Sequence, residues 1–371
     1  MKILITGAHF TPAIALIEEL KKTKDLDIVY IGRKNTMEGD LTPSKESQII
    51  PTLGVKFISI TTGRLQRSFT RYTIPSLLKI PIGFIQSVWI IWTEKPNVIL
   101  SFGGYVALPL VVIGWLFSIP ILIHEQTLVS GLANKISSFF ADKITLSFDK
   151  NQKLENKRIV LTGNPIRNIV LNPKRNLDLE YRIFFENYRK EKLPIILVMG
   201  GNQGSHIINE AISQCFDKLI RIALVIHITG DNKFLDFEKL KKLENDHYLV
   251  KKWIGEEYGT ILSKVDLVIS RAGVNTLTEL AFAAKPALVI PIPYLYQDEQ
   301  NKNAKYFEKL SLVKILPQYD LSGKSLFENI KGMLSKLGVY RDKAKKAKQM
   351  IIPDAAKRLA LETFLLIHKS K

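Results

Sequence analysis

Three glycines fall at positions 200, 201 and 204 of MGGNQGSHIINEAI (199–212), between an apolar run and a stretch of helical periodicity. Glycines so placed let backbone approach an anion closely. The helix that follows offers unpaired N–H groups and the positive end of its dipole. Such turns also serve tight packing alone, so the stretch leaves both readings open. It is not a Walker loop, because no Gly-Lys-Ser/Thr follows. A second strand–turn–helix stretch opens the chain, ILITGAHFTPAIALIEEL (3–20), but its turn carries one glycine, Gly7, and a histidine, His9. An imidazole with a pKa near ~6.5 can take a proton at neutral pH, so this turn is a candidate for acid–base chemistry.

Other polar groups are placed to serve a ligand with many hydroxyls. In ISRAGVNTLTELAFAAKPALVIPIPYLYQDEQNKNA (269–304) a strand ends in Arg-Ala-Gly and a helix begins near Val274, with Glu279 in its second turn. The next strand runs into Asp298, Glu299, Gln300, Asn301 and Asn303. One carboxylate and several amides beside a helix start suit a ribose and a sugar ring; a solvated glutamate and ordinary capping amides fit the same pattern. SFGGYVALP (101–109) and HEQTLVSGLANK (124–135) follow strands of the first half, on the same sheet edge as His9. His124 alone reads as a hydrogen-bonding strand-end histidine. A nicotinamide dinucleotide site expects an acid at the end of the second strand. That strand ends VYIGRK in the first half, with Arg33 as a conceivable partner of a ribose phosphate, and HITGDN in the second, where Asp231 comes late. The dinucleotide reading is demoted accordingly. No Cys/His/Asp cluster has metal-ligand spacing and no Asp-x-Asp occurs, so no catalytic metal is expected.

The chain has 371 residues, 46% hydrophobic and 24% charged, which argues for two ordinary domains rather than disorder. Its one cysteine, Cys215, cannot pair internally, and Met1-Lys2 leads straight into a strand pattern. A cytoplasmic protein is the expectation. The formal charge of +18 asks for an acidic partner. Arg64, Arg67, Arg71 and Lys79 precede the apolar IPIGFIQSVWIIW, a pairing that suits an anionic membrane surface. A second cluster of nine Lys/Arg lies between Lys331 and Arg358 and reads equally as a solvated helix face. Nucleic acid is disfavoured, since no aromatic residues interleave with the basic ones. The uncharged run 106–123 has about the minimum length of a transmembrane span. Pro120 breaks it, and a short buried helix ending near Ser118 followed by a buried strand is the better reading.

Apolar runs alternate with helical periodicity throughout, the mark of βαβ units and parallel sheets. Strands are expected at 2–6, 27–32, 56–60, 97–104, 119–126 and 143–148, then at 194–201, 223–230, 248–254, 267–273, 287–293 and 312–317. They form two open sheets, with RIVLTGNPIR (158–167) between them as a strand leading into a hinge. The expected class is α/β, two doubly wound Rossmann-like domains facing a cleft, with ligand at the carboxyl ends of the strands.

Seven of these pieces stand in one order: TGAH with TPA (6–13), SFGGYV, HEQ with GLANK, TGNPIR (162–167), GGNQGS, SRAGVNTLTE (270–279) and DEQNKNA (298–304). Over nearly its whole length the chain resembles the bacterial undecaprenyl-diphospho-muramoylpentapeptide N-acetylglucosaminyltransferases, of glycosyltransferase family 28. The resemblance implies a GT-B fold with an acceptor- and membrane-binding domain (1–163), a UDP-sugar-binding domain (164–350) and a final helix (351–371) returning to the first. It implies inverting, metal-independent transfer of N-acetylglucosamine from UDP-N-acetylglucosamine, a substrate and not a cofactor, to the 4-hydroxyl of a lipid-linked muramoyl-pentapeptide. The setting would be the cytoplasmic face of the plasma membrane.

Carried over by position, His9 matches the proposed general base, and Ile254 the uracil contact. Glu279 matches the ribose carboxylate and Gln300 the sugar-binding amide. Asn202 and Arg167 stand at the diphosphate, with Gly201, Gln203 and Gly204 in the same loop. Gly273, Thr276 and Leu277 accompany Glu279, while Thr6, Gly7, Ala8 and Thr127 line the sugar. Thr11, Gly103, Gly104, Tyr105, Glu125 and Asn134 fall on the acceptor side. The chain departs from the family in its contracted TGAH turn, in His-Glu-Gln-Thr for His-Glu-Gln-Asn, and in Asn202 for serine. A transferase for another UDP-sugar or lipid, a UDP-sugar epimerase and a non-catalytic nucleotide or membrane binder remain as rivals.

Overall fold

A computed structural model describes all residues except 36–42, 64–72, 150–156, 175, 202–203 and 370–371. The chain divides into two units, Met1–Arg167 with Ile352–Lys371, and Asn168–Ile351. In the first, the order is β1 (Lys2–Thr6), α1 (Phe10–Leu20), β2 (Asp27–Gly32), α2 (Lys45–Thr52), β3 (Lys56–Ser59), α3 (Thr73–Glu94), β4 (Val98–Ser101), α4 (Ala107–Leu116), β5 (Ile121–Glu125), α5 (Leu132–Ser137), β6 (Lys143–Leu146) and β7 (Ile159–Leu161). The second runs through α6 (Asn168–Leu171), α7 (Leu179–Glu191), β8 (Ile195–Met199), α8 (His206–Leu219), β9 (Leu224–Ile228), α9 (Asp236–Lys241), β10 (Tyr248–Lys251) and α10 (Tyr258–Lys264). It continues with β11 (Leu267–Ser270), α11 (Val274–Phe282), β12 (Ala287–Val289), α12 (Glu299–Lys309), β13 (Val313–Ile315), α13 (Gly323–Leu334) and α14 (Leu337–Lys348), and α15 (Ala355–Lys369) belongs to the first unit.

Each unit is built on one parallel sheet, ordered β3-β2-β1-β4-β5-β6-β7 in the first and β10-β9-β8-β11-β12-β13 in the second. The central strands are apolar on both faces because helices cover both: Ile3, Leu4 and Ile5 of β1 are fully buried, as are Ile195 to Val198 of β8. Strand order reverses between β1 and β4, and between β8 and β11. Such reversals open a crevice at the carboxyl ends of the strands. The strand expected at the start of 158–167 is β7, seventh in the first sheet and paired with β6, and the boundary between the two units follows at Arg167. Its ladder continues into the following turn, where the N–H groups of Thr162 and Gly163 both reach the Leu146 carbonyl.

The apolar run 106–123 divides as its proline dictates. Helix α4 buries Leu110, Val111 and Ile113, and the chain then turns through Ser118 (φ 56°) into β5. Helix α15 packs on α1 and β4, with Leu359, Leu366 and Ile367 in the core of the first sheet. Helix α3 differs in kind. Ile90 and Ile91 are buried, while Leu78, Ile85, Trp89 and Trp92 are 57 to 71% exposed. Among the described residues it alone is long and apolar enough to cross a membrane, with a mean hydropathy of 1.3 over Ser76–Glu94. It also packs along α4. Of the basic stretch before it, Arg64, Arg67 and Arg71 lie outside the described residues.

Candidate active site

In the first unit, the loops after β1, β4 and β5 meet at the carboxyl end of the sheet. Gly7 (φ +143°) brings the β1–α1 turn against Phe102; a Cβ there would stand 2.8 Å from the Phe102 backbone. The Ala8 N–H then bonds the Gly103 carbonyl (2.9 Å), and the Tyr30 hydroxyl donates to the Gly7 carbonyl (3.1 Å). These bonds fix the turn against the loop after β4. What it presents is His9, half-buried at the N-cap of α1, its ring not used as a cap. Burial pushes the His9 pKa below the ordinary imidazole value; Glu125 opposes this and Arg33 adds to it. The ring is therefore neutral at pH 7, the form a base requires.

Glu125 is the hub beside it. One carboxylate oxygen accepts from the Thr127 N–H (3.1 Å) and hydroxyl (2.6 Å), and the other from Asn134 Nδ2 (3.0 Å). Thr6 to His9, Thr11, Gly103 to Tyr105, Glu125, Thr127 and Asn134 thus fall at one end of one sheet, on the last residues of its strands, its loops and the first turns of its helices. His124 sits beneath them, wholly buried. The Thr145 hydroxyl donates to the Ile123 carbonyl, so it accepts from His124 Nδ1 (3.0 Å), which leaves His124 Nε2 to accept from the Ser147 hydroxyl (3.1 Å). Burial drives its pKa to about 3, and His124 is a structural floor. Arg33, weighed for a ribose phosphate, is turned instead to Glu46 at 3.2 Å.

In the second unit, Gly201 and Gly204 flank a loop whose Asn202 and Gln203 lie outside the described residues. Gly204 (φ +77°) presses on β9, where a Cβ would meet the Thr229 carbonyl at 1.9 Å. Gly273 caps α11, which carries Thr276 half-buried and Glu279 at 2% exposure. Leu277 is fully buried and its N–H bonds the Gly273 carbonyl, so it supports the loop and presents no free group. Gln300 Oε1 accepts from Ala272 N (3.3 Å) and Ile292 N (3.0 Å), which fixes the amide and leaves its Nε2 as the donor. Asn303, buried, donates to the Ala272 carbonyl. Ile254 follows β10, its side chain buried. Arg167 is half-buried at the last position before α6. Asp231 is exposed and faces Lys252 at 3.4 Å. Among the described residues no cluster of His, Cys, Asp and Glu could hold a metal ion.

The model of the glycosyltransferase family 28 N-terminal domain matches residues 6–146, and that of the family's C-terminal domain matches residues 195–359. The chain belongs to glycosyltransferase family 28. It is 32% identical, over 93% of its length and 94% of the relative's, to the UDP-N-acetylglucosamine–N-acetylmuramyl-(pentapeptide) pyrophosphoryl-undecaprenol N-acetylglucosamine transferase of Clostridium kluyveri. A Bacillus cereus protein, described as transferase 2 of the same kind, is 33% identical over 93% of this chain and 95% of its own. The crystal structure of Acinetobacter baumannii MurG superposes with a TM-score of 0.71, covering 98% of this chain and 99% of that one at 23% identity. The fold is accordingly the GT-B class of two Rossmann-like domains, and this family 28 member is a glycosyltransferase.

The motifs left one constellation unread. Asn209, His227, Asp236 and Tyr248 form a buried hydrogen-bonded chain behind the second glycine loop. A polar Asn209 on the apolar face of α8 was the one signal that pointed toward it.

Proposed function

We propose that this enzyme transfers N-acetylglucosamine from UDP-N-acetylglucosamine to the 4-hydroxyl of a lipid-linked muramoyl-pentapeptide, with inversion at the anomeric carbon. The observation that carries the reading is His9, neutral and half-buried at the end of β1, in a chain with family 28 relatives of that activity over nearly its full length. The acceptor hydroxyl attacks the anomeric carbon from the face opposite UDP. Its oxygen bonds to that carbon, the bond to the β-phosphate oxygen breaks, and the hydroxyl proton passes to the imidazole of His9. The departing diphosphate draws on Arg167 and on the N–H groups at the start of α8, positive charge and dipole enough for a reading without a metal. Glu279 takes the ribose, the Gln300 amide N–H₂ the sugar hydroxyls, and backbone near Ile254 the uracil. Thr6 to Ala8 and Thr127 line the sugar, while Tyr105, Glu125 and Asn134 shape the acceptor side.

The acceptor is lipid-linked, and the exposed face of α3 supports peripheral attachment to the cytoplasmic face of the plasma membrane. Leu78, Ile85, Trp89 and Trp92 lie on a helix whose other side is held by the protein. Such a helix rests in the membrane interface rather than crossing it. Incubation with UDP-N-acetylglucosamine alone separates this reading from an epimerase. The sugar nucleotide stays unchanged without acceptor; appearance of an epimer refutes the transfer reading.

A further inference from the structure

Behind the glycine loop of the second unit lies a chain of buried polar groups whose directions can be assigned. Asn209 Nδ2 contacts two acceptors, the Thr229 carbonyl at 3.0 Å and Asp236 Oδ2 at 2.8 Å, so the amide can point only one way. Its Oδ1 then faces His227 Nε2 at 3.0 Å, and that nitrogen must carry the proton. His227 Nδ1 is left to accept from the Tyr248 hydroxyl at 2.6 Å. Asp236 also accepts from Asn232 Nδ2 at 2.9 Å and from His206 Nδ1 at 2.9 Å. The His206 ring lies flat on Phe234, with centroids 3.8 Å apart. Asn209, His227 and Tyr248 are at most 2% exposed.

The chain links four pieces of backbone: the first turns of α8, the end of β9, the start of α9 and β10. Its anchor is the Thr229 carbonyl, which takes the Asn209 amide and is the same atom against which Gly204 packs. The position of Gly204, and so the direction of the first N–H groups of α8, is tied to Asn209. We infer that Asn209 and His227 are positioning residues for donor binding, holding Gly204 against the end of β9 so that the first N–H groups of α8 converge on the donor's diphosphate. This rests on the reading that the loop after β8 receives that diphosphate. Neither side chain needs to touch the ligand; a shift of Gly204 and the start of α8 by a fraction of an ångström misaligns several N–H groups together.

The test is UDP binding by calorimetry, with steady-state KM values for donor and acceptor, on the full-length enzyme. His227→Leu and Asn209→Ala are expected to raise the UDP Kd and the donor KM about tenfold, with the acceptor KM unchanged. His227→Gln, which keeps an N–H for Asn209 Oδ1, is expected to stay within about threefold of wild type. Tyr248→Phe loses only a hydroxyl and carries the same donor-selective prediction should His227→Leu not fold. A merely structural network would lower the folded fraction and the melting temperature while leaving UDP affinity per folded molecule unchanged. Unchanged UDP affinity in folded Asn209→Ala or Tyr248→Phe overturns the inference and leaves the donor reading standing. A wild-type enzyme that fails to bind UDP overturns both.

Discussion

His227 should make the second unit sensitive to mild acid, and the size of the effect follows from its surroundings. The ring is fully buried, both nitrogens are used in the neutral form, and burial drives its pKa to about 3. In the unfolded chain the same imidazole titrates near ~6.5. Between these values the unfolded state binds a proton that the folded state refuses, so stability falls as pH drops below ~6.5 and keeps falling toward pH 3. From pH 7.5 to pH 5 the loss is about 2 kcal/mol from this group alone, or roughly 1 M in urea midpoint at an m-value of about 2 kcal/mol/M. His227→Gln removes the titration. The single cysteine supplies the assay, because Cys215 is buried in the core of this unit and reports its opening. Urea-equilibrated samples are pulsed with a pyridyl disulfide, which reacts with thiols at pH 5. The gap in midpoint between wild type and His227→Gln should change by about 1 M between the two pH values, to the detriment of wild type. His247, whose pKa the Ile220 carbonyl and Glu191 raise, titrates in both proteins and cancels. Asp236 is held below the ordinary carboxyl range by Asn209, His206 and Asn232 despite its burial, outside this pH window. A gap that does not move with pH refutes the reasoning.

His9→Ala should cut kcat by about 10² to 10⁴ while leaving the UDP Kd unchanged; equal loss of both would make His9 a structural turn residue. Because burial lowers its pKa, the acid limb of the kcat profile should lie below pH ~6.5, and a limb above that value would contradict a neutral, desolvated base. Trp89→Glu with Trp92→Glu should weaken binding to anionic vesicles by at least about tenfold and leave the melting temperature near wild type, since both rings are more than half exposed.

Much of the fold was legible because strands buried on both faces leave continuous apolar runs, and every expected strand exists. The runs overreached at their ends: 97–104 reads as strand, but the ladder of β4 stops at Ser101. Phe102 is buried as part of the loop beneath His9, and apolarity alone cannot distinguish a ladder residue from a loop residue that packs. The strand expected to open 158–167 exists as the short edge strand β7, and the division between the two units follows directly after Arg167, at the end of the Gly-Asn-Pro turn. The face of α3 was undecided, since its apolar residues surround the helix and only packing on α4 selects the buried stripe. The positions of His9, Gly103 and Glu125 on one sheet end followed from strand–loop order. The Asn209 network was not readable, because residues 209, 227, 236 and 248 meet only once β10, β9 and β8 lie side by side.

The central claim is the transfer itself, and a product assay by mass tests it most directly. The purified enzyme is given UDP-N-acetylglucosamine or another UDP-sugar, each with a lipid-linked muramoyl-pentapeptide. The account predicts one N-acetylhexosamine added to the lipid-linked acceptor, and UDP released in equal amount, from UDP-N-acetylglucosamine in preference to the other sugars. No glycosylated lipid from any donor, or a different sugar transferred in preference, would contradict it.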